Sequence, residues 1–119
     1  MATIALVGLV PAVADLVAAA LRSEGHAVTR QPLDADVVRA LGRAPPDVLV
    51  LDGHAYANVR ALLTDLRTQA ATASLPVVVL GPARPAEVPH FEVVQRLGRA
   101  FSLDALLAAV RRAAGALGG

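Results

Sequence analysis

Few side chains in this 119-residue sequence are placed to do chemistry, and one carboxylate stands apart from the rest. Asp52 closes the run Asp47–Asp52, DVLVLD, in which four apolar residues separate two acids. A carboxylate at a strand end can accept backbone N–H groups from the following turn, or it can pair with a cation. Arg99 is the cation to weigh against it, a permanent charge whose planar fork of donors matches a carboxylate. His54 and His90 are joined by no Cys and no cluster of acids, so neither has the spacing of a metal ligand. Gly8 follows the first apolar run, but neither G-x-G-x-x-G nor a Walker pattern follows it.

These residues need a scaffold, and the chain spells one out. Thr3–Val7 is a continuous apolar run of strand length, as in a strand covered on both faces. Pro11 suits the first turn of a helix, in which Val13, Leu16, Val17, Ala20 and Leu21 recur at helical spacing until Gly25. His26–Arg30 reads as a short, polar, edge-like strand, with His26 solvated at its start. Asp34 or Asp36 can cap a second helix carrying Val37, Val38 and Leu41. Asp47–Asp52 is the clearest strand, Asn58 is placed to cap a third helix, and Val77–Leu80 is a further apolar strand ending at Gly81. Pro82, Pro85 and Pro89 discourage a regular helix before about His90, so a fourth helix is expected to be short or absent. A brief strand near Val93–Leu97 follows. Ser102 then caps a last helix, with Arg111 and Arg112 in its last turn. Residues 1–113 form one domain on this reading, and 114–119 a flexible tail or the start of a linker.

Strand and helix alternating in this way imply a parallel sheet with helices on both faces, a doubly wound α/β fold. Ligands and chemistry gather beyond the carboxyl ends of such strands, which brings Gly8, Leu9, Asp52, Gly81 and Arg99 together as the positions to watch. Composition narrows the functions further. Hydrophobic residues make up 55% of the chain and aromatic ones only 3%, so few platforms exist for stacking on single-stranded nucleic acid. Eleven basic residues, all Arg, oppose ten acids for a formal charge of +1, too little field to favour DNA or an acidic membrane. The apolar start at Ile4–Val10 is too short to span a bilayer. A cytoplasmic protein is the expectation, with neither nucleic acid nor membrane as partner.

The order of elements, DVLVLD ending in an acid, LPVVVLG after the third helix and RAFSLDALLAAVRR near the end together resemble a receiver domain of two-component response regulators. The resemblance covers roughly Thr3 to Ala113. It implies a five-stranded parallel sheet in flavodoxin-like order with Asp52 as phosphoacceptor. Arg99-Ala100-Phe101 matches the family's Lys-Pro-Phe, so Arg99 stands where a lysine contacts the phosphoryl group or locks Asp52. The acidic pair that holds Mg²⁺ in the family reads Gly8 and Leu9, the hydroxyl residue after the fourth strand reads Gly81, and the aromatic switch position on the fifth strand reads Arg96. Metal affinity is therefore expected to be weak, with no resident cofactor. The triplet Asp52-Gly53-His54 is also similar to the Asp-x-His of cobalamin-binding domains, but it follows the wrong strand and Ala57 fills the glycine position.

The resemblance implies an atypical, non-enzymatic receiver in a phosphorelay. It would act by protein–protein contact with a histidine kinase or a downstream effector, with Asp52 as residual phosphoacceptor. The alternative from another class is a phosphorylation-independent docking or dimerisation module, since Ala-rich helix faces would permit two copies to pair closely. A third reading is a small-molecule binder at the strand-end crevice.

Overall fold

A computed structural model describes residues 2–34, 36–52, 56–80, 91–94, 96–97, 100–101 and 103–118, with side chains over 2–34, 36–52, 61–80 and 103–115. The chain runs β1 (Thr3–Val7), α1 (Pro11–Ser23), β2 (Ala27–Gln31), α2 (Val37–Arg43), β3 (Val48–Asp52), α3 (Tyr56–Thr68), a 3₁₀ turn (Ala70–Thr72), β4 (Val77–Leu80), β5 (Phe91–Val94), β6 (Arg96–Leu97), β7 (Ala100–Phe101) and α4 (Leu103–Gly118). Strands β1 to β5 form one sheet in the order β2-β1-β3-β4-β5, and every pairing in it is parallel. The polar β2 lies at an edge, where Ala27, Thr29 and Arg30 are exposed.

The sheet's two faces sort the apolar residues by strand parity. Ile4, Leu6, Val48, Val50, Val78 and Leu80 pack against α1 and α4 through Val17, Leu21, Leu106 and Val110. Ala5, Val7, Leu49, Leu51, Val77 and Val79 pack against α2 and α3 through Leu41, Leu62, Leu63 and Leu66. Because β1, β3 and β4 are covered on both sides, Ile4–Val7, Val48–Leu51 and Val77–Leu80 are apolar runs with no polar alternation.

Local signals act at the element ends. Pro11 occupies the first turn of α1, where its missing N–H would have had no helical partner. Gly25 ends that helix at φ +89°, a conformation other residues adopt at a cost. Asp36 stands at the N-cap of α2 without a side-chain cap bond, while Asp34 Oδ1 accepts the Asp36 N–H at 3.0 Å. Asn58 lies inside α3, which starts at Tyr56, so its expected role as a cap is corrected.

Three further expectations change. His26 is not simply solvated: its Nδ1 accepts the Ala2 N–H at 3.2 Å and ties the chain start to the beginning of β2. The last helix continues to Gly118, past the boundary expected at 113. Arg111 therefore lies within the helix, where it forms a two-pronged pair with Glu24 at the end of α1, both bonds 3.0 Å long. The fifth strand is Phe91–Val94, and Arg96 belongs to a separate antiparallel pair, β6 with β7. The expected fourth-helix region, 81–90, and the Ser102 cap lie outside the described residues.

Beneath α2 and α3 a small polar cluster holds the turn before β4. Thr72 is fully buried; its hydroxyl donates to the Leu66 carbonyl at 2.7 Å and accepts from Gln69 Nε2 at 3.1 Å. Gln69 Nε2 also lies 3.3 Å from the Val38 carbonyl of α2. Arg67 NH1 donates to the Thr72 carbonyl at 3.1 Å, and burial lowers the Arg67 pKa below its ordinary value. Thr72→Val keeps the volume but leaves these groups short of a partner. A loss of about 1–3 kcal/mol is expected, measured by urea unfolding.

Candidate functional site

The two acids of DVLVLD have opposite fates. Asp47, just before β3, is exposed and clamps the start of the sheet: its Oδ2 accepts the Thr3 N–H at 2.7 Å, and its own N–H donates to the Thr3 carbonyl at 2.7 Å. Asp52 is the last residue of β3, at the carboxyl edge of the central strand, and is only 8% exposed. Among the described residues it is the sole charged side chain that is buried. A carboxylate in that position keeps its charge only where donors or cations compensate for lost water.

Strand register defines the surroundings of Asp52. Leu80 of β4 pairs with it directly. On the other side Val7 pairs with Leu51, so the chain leaves β1 at Gly8, level with Asp52. Alternation along β3 sets Asp52 on the face of Val48 and Val50, the side covered by α1 and α4. This is the strand-end rim at which doubly wound sheets carry their ligands.

The two positions after β1 supply no oxygen-bearing side chain there. Gly8 is left-handed, with φ +73°, and its N–H donates to the Gln31 carbonyl of β2 at 3.2 Å. Leu9 packs against the α1–α4 core. A crevice of about 250 Å³ opens beside them, lined by Leu6, Gly8, Leu9, Arg30, Gln31 and Pro32. At its rim Arg30 NH1 pairs with Asp15 Oδ1 at 2.6 Å, an exposed ion pair between β2 and α1. Sequence reasoning read Arg30 only as the end of a polar strand and missed this pair, since Asp15 on α1 gives no hint of β2 across the gap.

Gly53 and His54 after β3, Gly81 after β4, His90 and Arg99 lie outside the described residues. Of the expected strand-end set, Gly8, Leu9 and Asp52 are brought together at one edge of the sheet. Among the described residues no three His, Asp or Glu side chains gather where they could hold a metal ion, and no helix is long and apolar enough to cross a membrane.

A parallel sheet in the order 2-1-3-4-5, with a buried acid at the carboxyl end of its central strand, defines a flavodoxin-like doubly wound domain. Within that class the chain has the fold of the receiver domains of two-component response regulators. It superposes on NtrX from Brucella abortus with a TM-score of 0.74 at 26% identity, covering 97% of this chain and 26% of that one. It therefore spans about a quarter of NtrX. The receiver domain of the sensor histidine kinase PA1611 from Pseudomonas aeruginosa PAO1, which carries a magnesium ion in its active-site cleft, gives 0.75 at 21% identity over 96% of this chain and 98% of that one. The signal receiver domain of a signal transduction histidine kinase from Syntrophus aciditrophicus gives 0.75 at 19% identity, over 98% and 92%. No protein-family model matches the sequence, and no curated protein matches it.

Magnesium, which the PA1611 domain holds in its cleft, finds few oxygen ligands among the described residues at this rim. Mg²⁺ takes near-octahedral oxygen coordination and usually one or two carboxylates. Asp52 offers one, while Gly8 and Leu9 have no side-chain oxygen to add.

Proposed function

We propose that this chain is an atypical receiver domain in phosphorelay signal transduction, with Asp52 as its residual phosphoacceptor and protein–protein contact as its output. The observation that carries this reading is the buried carboxylate of Asp52 at the carboxyl end of the central strand of a receiver fold. An Asp52 carboxylate oxygen would attack the phosphorus of a phosphohistidine on a kinase. A P–O bond forms as the P–N bond breaks, and the departing imidazole takes up a proton from solvent. Arg99 is assigned the cation's part, either contacting the phosphoryl group or holding Asp52 in one state. The domain has no catalytic turnover of its own on this reading. It works in the cytoplasm, and its partners are a histidine kinase or a downstream effector.

Acetyl phosphate stands in for the kinase in the test. Intact-mass measurement after incubation is expected to show one added phosphoryl group per chain. An unchanged mass with every donor, on a folded protein, would reject the phosphoacceptor role.

Gly8 and Leu9 favour a second reading, a docking or dimerisation module that kept the scaffold and abandoned the chemistry. Unphosphorylated protein that already binds its partner at full affinity, or forms a dimer at micromolar concentration, would support it. The small-molecule reading loses support, because Leu9 lines the strand-end crevice and Arg30, the cation lining it among the described residues, is paired.

A further inference from the structure

We infer that the strand-end site of this chain is magnesium-independent, and that the backbone at position 8 keeps it so. The inference takes from the receiver reading only the location of the site. Register sets Gly8 level with Asp52, so position 8 is where a second carboxylate would have to stand to share a cation with it.

Three features close that position. The φ of +73° is one that residues with a Cβ rarely adopt. The Gly8 N–H is bonded to the Gln31 carbonyl, which fixes the turn against β2. A Cβ added at Gly8 would lie 3.2 Å from the Leu33 Cβ and 3.6 Å from its Cδ2. Leu33, half-buried against the α2–α3 core, would have to give way by a few tenths of an ångström to admit it.

The neighbouring position is closed in another way. Leu9 is seated against the α1–α4 core, so an acid there would exchange apolar contacts for a poorly hydrated charge. The site has therefore not merely lost two carboxylates: a left-handed turn and a packed leucine have taken their places. Neutralisation of a phosphoryl group on Asp52 then falls to fixed protein charge, and its transfer should be indifferent to divalent cations.

The test is a titration of the ¹⁵N-labelled protein with MgCl₂ to tens of millimolar, followed at the amides of Gly8, Leu9 and Asp52. No saturable shift is expected, and acetyl phosphate should modify the chain equally in Mg²⁺ and in EDTA. A saturable shift at those amides would overturn the inference, as would phosphorylation that stops in EDTA. In the Gly8→Asp/Leu9→Asp variant the melting temperature is expected to fall by several degrees with no metal site gained. Tight Mg²⁺ binding at undiminished stability would count against the inference. Should that variant not fold, the wild-type titration still decides. The two readings fail separately: a silent titration with no phosphorylation removes the phosphoacceptor and leaves the inference standing, whereas Mg²⁺ binding with phosphorylation does the reverse.

Discussion

Asp52→Ala is expected to abolish phosphoryl incorporation, from one group per chain to none, while Asp65→Ala leaves it at one. The contrast follows from where the acids stand. Asp65 is exposed on α3, away from the strand-end rim, where water competes for any incoming phosphoryl group. Asp52 is buried at the rim where the central strand ends, so an incoming phosphoryl group meets it with little competing water. Intact mass resolves the two outcomes directly. Asp52→Asn is the companion variant, since it preserves the shape of the side chain and separates lost chemistry from lost packing. If Asp52→Asn still gains a phosphoryl group, the group resides elsewhere and the assignment of Asp52 fails.

The largest stability effect is expected at Leu66. It is fully buried on α3, in the cluster that includes Leu49, Leu51, Val77 and Val79 on one face of the sheet. Leu66→Ala removes that contact and leaves a cavity, at a cost of about 2–5 kcal/mol. For a domain of this size the midpoint of thermal unfolding should fall by about 10–20 °C. Leu16 provides the comparison: it is the same residue type on a helix of the same length, but 52% exposed, and Leu16→Ala should change stability by less than about 0.5 kcal/mol. Equal effects at the two positions would mean that α3 does not cover the sheet as described. Leu66 backs the face of β3 opposite Asp52, so its loss should also loosen the strand that presents the carboxylate.

Much of this architecture was legible in the sequence for a simple physical reason. Strands buried on both faces must be apolar at every position, so Thr3–Val7 and Val77–Leu80 announce both their type and their ends. Asp52 was legible because a charge that ends such a run interrupts a pattern that burial would otherwise continue. The fifth strand was displaced, from the expected Val93–Leu97 to Phe91–Val94. Arg96–Leu97 and Ala100–Phe101, which lie beyond it, pair with each other. Strands of two residues are too short for periodicity to reveal.

The fine structure of the rim was hidden for a different reason. A glycine permits a left-handed turn without requiring one, and only the Gln31 carbonyl and Leu33 across the gap reveal that Gly8 adopts it. Pairs such as Arg30 with Asp15 and Arg111 with Glu24 join residues 15 and 87 positions apart, a separation that local spacing rules do not reach. The helix faces that carry these residues looked merely polar in the sequence.

The claim that Asp52 accepts a phosphoryl group is tested most directly by trapping the product in place. Borohydride reduces an acyl phosphate to an alcohol, so after treatment with acetyl phosphate a peptide spanning residues 47–60 should carry homoserine in place of Asp52 when sequenced by mass spectrometry. Reduction at any other acid, or a peptide left unmodified while the protein is demonstrably folded, would contradict the account.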